Sequence, residues 1–228
     1  MTTTIQLNKI NKFYGTTVTQ QVLFDIDLTI EPKTFNSIIG QSGSGKSTLL
    51  NIMGTLDKPT NGEVHINGQE VSSLSKNKLS KIRNEEIGFI FQFHFLLPEF
   101  TVFENILMPY KISHRSVPES IVARAYELMD IVGITQVKDN KATAISGGQA
   151  QRAAIARALI NNPKIILADE PTGNLDSKST ESVYSLLRSL NENYDTTFVV
   201  ITHNPNVAEK TDRIIEIQDG RVYRDFLT

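Results

Sequence analysis

Between the apolar run "FNSII" and the leucine-containing run "TLLNIM" lies Gly40-Gln41-Ser42-Gly43-Ser44-Gly45-Lys46-Ser47, with Thr48 next in the chain. No other stretch restricts the fold so strongly. Three glycines this close would weaken the interior of a helix or a strand, where each costs backbone entropy and packs no side chain. They suit a tight loop whose backbone N–H groups turn inward, and a following helix adds the positive end of its dipole. A buried strand, this loop and a helix, in that order, make a phosphate-binding loop. Lys46 would reach the β- and γ-phosphates of a nucleotide, and the Ser47 hydroxyl would ligate Mg²⁺. The expected fold is α/β, a phosphate-loop ATPase with a mostly parallel sheet core.

The rest of the chain fits such a core. "TIQLNKINKFYG" and "VLFDIDLTI" alternate apolar and polar residues, as antiparallel strands with one wet face do. "GEVHINGQEV" carries Asn67-Gly68, a two-residue hairpin signal. Ser75 to Asn84 reads as an exposed helix and "IGFIFQ" as a buried strand. From about Thr101 to Asn161 the pattern is helical, with breaks expected at Pro109, Pro118 and Gly133. "KIILADE" and "TTFVVITH" read as buried parallel strands, separated by the helix "STESVYSLLRSLNEN", and "RIIEIQDGRVYRDF" as a closing hairpin. The expected organisation is one domain over 1–228. Residues 1–92 and 162–228 would form the nucleotide-binding core with an N-terminal antiparallel β layer, and about 93–161 an inserted α-helical subdomain.

A phosphate loop needs a carboxylate on a neighbouring strand to hold the metal's other side. "IILADE" offers Asp169 for Mg²⁺ and, beside it, Glu170 for the attacking water. His203 closes "FVVITH" and should emerge on the same sheet edge, near the γ-phosphate. Gln92 closes "IGFIFQ", from where its amide reaches the metal or the water. Taken alone, either residue would read as an ordinary strand terminus; the constellation favours a site. Tyr14, in the turn after the first strand, offers a ring to adenine or packs at a core edge.

Composition narrows the alternatives. The 228 residues are 39% hydrophobic and 21% charged, enough to bury a normal core. A net charge of −2 and a pI near 6.1 give no support to a nucleic-acid partner. The absence of cysteine excludes a disulfide scaffold and suits a reducing compartment. "MTTTIQLNKI" lacks the apolar core of a signal peptide, and no apolar run approaches membrane-spanning length. The expectation is a soluble, cytoplasmic chain; at a membrane, another chain must supply the spans.

One stretch remains unexplained by a single nucleotide site. "ISGGQAQR" places a hydroxyl and two glycines at the start of a helical run, a second anion site about a hundred residues from the first. With these motifs in hand, the chain from about Ile5 to Tyr223 resembles the ATP-binding subunit of an ABC transporter. "ISGGQ" is similar to that family's signature, with Ile145 for the usual leucine, and "PTGNLD" to its D-loop, which ends in Asp176. Gln92, Tyr14 and His203 fall at the positions of its Q-loop, adenine-stacking aromatic and switch histidine. Lys33-Thr34 departs from the usual Gly-Glu turn.

The resemblance implies that two copies pack head to tail on ATP. Ser146, Gly147, Gly148 and Gln149 of one would then face the nucleotide held by the other. "FQFHFLLPEFTVFENILMPY" is similar to the lipoprotein-releasing, macrolide-exporting and cell-division branch (LolD-, MacB- and FtsE-like), and bacitracin-resistance ATPases look alike. That branch implies ATP and Mg²⁺ as cofactors, and a transmembrane permease docking near residues 93–110. It also implies a peripheral place on the inner face of the membrane. Export, extraction or mechanotransmission is implied, with signalling by a cell-division or antimicrobial-peptide-resistance complex as the alternative. A chromosome-maintenance ATPase would need a long coiled-coil insertion, a translation factor two phosphate loops, and a small-molecule kinase would leave "ISGGQ" unexplained.

Overall fold

The computed structural model describes residues 3–15 and 18–228. In chain order the elements are β1 (Ile5–Tyr14), β2 (Gln20–Ile30), β3 (Phe35–Ile39), α1 (Lys46–Met53), β4 (Asn61–Ile66), β5 (Gln69–Glu70), α2 (Lys76–Glu86) and β6 (Ile87–Phe91). There follow α3 (Val102–Ser113), α4 (Glu119–Ile131), α5 (Gly147–Leu159), β7 (Ile165–Asp169), α6 (Ser177–Tyr194), β8 (Thr197–Ile201), α7 (Pro205–Ala208), β9 (Arg213–Gln218) and β10 (Arg221–Leu227).

Two sheets result. The antiparallel one has the order β2-β1-β4-β5, with Ile5 opposite Ile30 and Leu7 opposite Leu28. Asn67 and Gly68, at φ 49° and 78°, make the tight turn between β4 and β5. The second sheet has the order β10-β9-β3-β8-β7-β6, parallel from β9 to β6 and closed by the antiparallel β9–β10 hairpin. Its apolar strands serve both faces. In β7, Ile166 and Ala168 join one core while Ile165 and Leu167 join the other; in β8, Phe198 and Val200 separate from Val199 and Ile201 in the same way. A period of two splits a continuous apolar run between two layers, so such a run marks a central strand. One core takes in α3, α4, α5 and α6; the other joins α1 to the antiparallel sheet.

Two local expectations are corrected by the structure. Pro109 does not break the chain's helical course: α3 runs through it to Ser113. The missing N–H removes one intrahelical bond, near an exposed end, and Asn84 Nδ2 donates to the Pro109 carbonyl at 2.8 Å. The start of α3 is fixed by a reciprocal cap, Thr101 accepting from Glu104 N and Glu104 from Thr101 N. The strand expected to run through Glu170 stops at Asp169, because Glu170 turns left-handed at φ 47°. Lys33 stands at φ 63°, a conformation that glycine adopts without strain, and this accounts for the family's usual Gly-Glu turn there. Among the described residues, no helix is long and apolar enough to cross a membrane.

Candidate functional site

Four strand ends lie in one row. Ile38 is in register with Ile201, Ile201 with Asp169, and Asp169 with Phe91. With about 4.8 Å between neighbouring strands, the exits of β3, β8, β7 and β6 span roughly 14 Å. Those exits lead into the glycine loop, Thr202-His203, Glu170 and Gln92 respectively. Parallel sheets bind ligands at this carboxyl edge.

The loop is shaped for close approach. Gly40, Gly43 and Gly45 have φ of 148°, 78° and 104°. A Cβ on Gly40 would meet the Ile217 carbonyl oxygen at 2.1 Å, whereas one on Gly43 would meet nothing within 4 Å. Gln41 and Ser42 are exposed, and Ser44 is buried with a hydroxyl that has no partner among the described residues. Gly45 caps α1 without a side-chain hydrogen bond, so the capping residue leaves the N–H groups of the first turn free for an anion. Lys46 Nζ donates to the carbonyls of Gly40 at 3.0 Å and Gln41 at 2.7 Å. Burial pushes its pKa down, against the pull of the Glu170 and Asp169 carboxylates.

Asp169 and Ser47 meet across the loop. Burial pushes the Asp169 carboxyl up; the hydrogen bond with Ser47 lowers it, Glu170 raises it, and Lys46 and His203 lower it. A hydroxyl and a carboxylate, both hard oxygen donors, fit Mg²⁺, which usually takes one or two protein ligands with phosphate and water. No group of three or more His, Cys, Asp or Glu that could cage a metal occurs among the described residues.

Glu170 is aimed by its backbone. Its N–H donates to Ile201 O at 3.1 Å and its carbonyl accepts from Gly173 N at 3.0 Å, which locks the left-handed turn. Its Oε1 lies 2.6 Å from His203 Nε2, so the Nε2–H donates to the carboxylate. Gln92 Nε2 donates to Asn174 Oδ1 at 3.3 Å, and Asn174 Nδ2 returns to Gln92 O at 3.2 Å. The amide nitrogen of Gln92 therefore faces the loop that leaves Glu170. Tyr14 ends β1; its hydroxyl donates to Asp57 Oδ2 at 2.6 Å, and Lys12 Nζ lies 4.7 Å from its ring centre. Burial and Asp57 raise the Tyr14 phenol, while Thr48 of α1 lowers it, so the hydroxyl lies near the helix that follows the phosphate loop.

The second expected anion site, the helix start at Ser146, is built differently. Ser146 caps α5 reciprocally: its Oγ accepts from Gln149 N at 3.3 Å, and its N–H donates to Gln149 Oε1 at 2.9 Å. The hydroxyl oxygen is thus occupied while its proton stays available to an acceptor outside the helix. A Cβ added to Gly147 or Gly148 would meet nothing within 4 Å, so this helix start is open. The hydrogen bonds of Ser146 bind it to its own helix, not to the glycine loop. Asp176 caps α6, accepting from Ser179 N at 3.0 Å and Ser179 Oγ at 2.8 Å.

After Gln92 the chain exposes aromatic surface. Phe93 is 63% and Phe95 64% exposed, with Phe95 at φ 47°. Leu96 instead packs partly buried on the helical core. His94 Nδ1 bonds Gln151 Oε1 at 2.5 Å, and Arg157 donates to the carbonyls of Phe95 and His94, both at 2.7 Å. Beside this segment runs a groove of about 410 Å³ lined by Phe89, Phe91, Pro109, Ile112 and Arg157 among others. Sequence reasoning missed Lys12, Asp57, Asn174 and Arg157. Only Lys12, two residues before Tyr14 on one strand, had a signal in spacing.

Residues 23–173 match the ABC transporter family. The chain is 46% identical over 224 residues to lipoprotein-releasing system ATP-binding protein LolD 1 of Rhodopseudomonas palustris, spanning 97% of this chain and 99% of that protein. It is 48% identical over 217 residues to LolD of Shewanella frigidimarina, spanning 95% and 90%. A dimeric ATP-binding cassette in a post-hydrolysis state, bound to ADP and Pi, superposes with a TM-score of 0.90 at 44% identity, covering 98% of each chain. The structure of cbiO1 from Clostridium perfringens, part of the ABC transporter complex cbiONQ, gives 0.88 at 25% identity, covering 99% and 88%.

Proposed function

The chain belongs to the ABC transporter family, and from that premise we propose that it hydrolyses ATP as a head-to-tail pair and drives a membrane permease. One observation carries the reading. The chain holds a phosphate cradle with its own carboxylates, and also a separate, open helix start at Ser146 whose bonds lie within its own helix. Two copies related by a twofold axis pair each cradle with the other's helix start, a closed arrangement. The dimeric cassette bound to ADP and Pi supports it.

Within each site, the loop N–H groups and Lys46 would hold the β- and γ-phosphates. Ser47 and Asp169 would hold Mg²⁺, with Gln92 at its margin; the ion supplies charge neutralisation at the phosphates. Glu170 takes the proton of the attacking water as that oxygen bonds to the γ-phosphorus and the bond to ADP breaks. His203, donating to Glu170, fixes the carboxylate's direction. The Ser146 proton and the Gly147 and Gly148 N–H groups of the other copy would meet the γ-phosphate oxygens. Tyr14 would stack on adenine, and Asp176 would brace the turn between the copies.

Residues 1–92 and 162–228 serve here as the nucleotide-binding core and 93–161 as the helical lobe. Exposed Phe93 and Phe95 and the groove beside them support docking of the permease near 93–110, since apolar patches on an otherwise polar surface mark partners. The chain would then sit peripherally on the inner face of the membrane. Identity of 46% to LolD 1 favours the lipoprotein-releasing branch, and thus extraction of a lipid-modified cargo. The test is phosphate release per chain against protein concentration in MgATP. A shared site predicts a specific activity that climbs as dimers form; a constant value would contradict it.

A further inference from the structure

Tyr14 is held from two sides. Its hydroxyl donates to Asp57 Oδ2 at 2.6 Å, and Lys12 Nζ sits 4.7 Å from the ring centre. The two supports are themselves joined. Lys12 Nζ donates to Asp57 Oδ1 at 2.6 Å and to the Lys58 carbonyl at 2.7 Å, and Lys58 N donates to the same Asp57 oxygen at 2.7 Å. Lys12 is only 8% exposed, unusual for a lysine on a strand, while Tyr14 itself remains 42% exposed. A buried ammonium lies over the ring and a carboxylate fixes its tip, while much of the tyrosine stays exposed.

Burial raises the Asp57 carboxyl, but hydrogen bonds from Lys12, Tyr14 and Lys58 outweigh it and hold the group below its usual range. It therefore stays ionised at neutral pH and keeps accepting from both residues.

We infer that Lys12 and Asp57 are positioning residues for the nucleobase: they hold the Tyr14 ring ready to stack, and contribute to affinity for adenine but not for the triphosphate. The inference rests on the reading of Tyr14 as the adenine platform. Its physics is separate from that reading. A free tyrosine on a strand end loses rotamer freedom when a base stacks on it, and a ring already fixed avoids that loss. The cation beneath the ring also draws on its π-electrons, which favours an electron-rich purine on the opposite face.

The test compares two ligands by calorimetric titration in Mg²⁺: ATP, and inorganic triphosphate, which fills the phosphate cradle but has no base. Tyr14→Ala tests the platform itself and should weaken ATP by roughly five- to a hundredfold, leaving triphosphate unchanged. Lys12→Met and Tyr14→Phe each remove one support but keep the ring. Each should weaken ATP by about three- to tenfold, again with triphosphate unchanged. If Tyr14→Ala leaves ATP affinity intact, the platform reading falls. If Tyr14→Ala weakens ATP but the two support variants do not, the platform stands and the inference is overturned. If a support variant weakens both ligands equally, the residue braces the cradle and the inference is likewise overturned. Should Lys12→Met fail to fold by circular dichroism, Tyr14→Phe, which deletes one oxygen, decides alone.

Discussion

His203 Nε2 and Glu170 Oε1 are 2.6 Å apart, although the two residues leave different strands. The contact exists because β7 and β8 are register neighbours and Glu170 turns back at φ 47° toward Ile201. In the proposed mechanism the imidazole steers one carboxylate oxygen and leaves the other for water. Removing that donor in His203→Ala should lower ATP turnover by about a hundredfold, the usual cost of misplacing a catalytic group. His203→Gln, whose amide can still donate, should recover part of it. Steady-state phosphate release at saturating ATP checks both; equal rates for the two variants would assign the histidine another role.

Lys46→Ala removes the one side-chain cation of the phosphate loop, which otherwise donates to the carbonyls of Gly40 and Gln41. A hydrogen bond to a charged group is worth about 1.5–3 kcal/mol, so ATP affinity should fall by roughly ten- to a hundredfold. Titration with MgATP measures it directly.

Ser146→Arg should leave ATP binding to the single chain near normal and abolish hydrolysis, if Ser146 serves the other copy's site as proposed. The lost cap costs about 1 kcal/mol of helix stability, which thermal melting will register without unfolding the chain. Mixed with Lys46→Ala, each hybrid pair has one site with both defects and one with neither. Activity should return in the mixture; a dead mixture of chains that demonstrably pair would rule out the trans arrangement.

Phe93→Glu and Phe95→Glu change exposed side chains, and both variants should fold and bind ATP like the parent while losing capture of the permease in detergent extracts. Leu96→Glu is different. It places a charge against the helical core and should destabilise the fold by about 1–3 kcal/mol in urea titration. If Phe93→Glu and Phe95→Glu still bind the permease, docking lies elsewhere.

How much of the molecule is legible in the sequence depends on how local each signal is. The phosphate loop, the apolar runs of β7 and β8 and the Asn67-Gly68 turn announce themselves within a few residues, and the parallel sheet then brings Asp169, Glu170 and His203 to one edge without further information. Pro109 misled because propensity alone forbids it in a helix, whereas Asn84 and a solvent-facing end tolerate it. Asp57 was invisible: its role depends on a loop returning to β1 from 45 residues away, and nothing near Asp57 in sequence points to Lys12. Leu96 and Leu97 look identical in sequence, yet only packing decides that Leu96 faces inward.

The shared site is the central claim, and Glu170→Gln tests it most directly. In a closed pair each γ-phosphate would face a Glu170 carboxylate a few ångströms away, a repulsion of about 1–4 kcal/mol per site at 4 Å in surroundings between bulk water and a protein surface. The amide keeps the shape and removes both that repulsion and the proposed base; general-base catalysis alone contributes about a hundred- to ten-thousandfold to a rate. Size-exclusion chromatography of Glu170→Gln in ATP, with and without Mg²⁺, reads the outcome. The expected result is a stable dimer that binds ATP and barely hydrolyses it, beside a wild type that runs mostly as monomer. A variant that stays monomeric in ATP and hydrolyses at the wild-type rate would contradict the shared site.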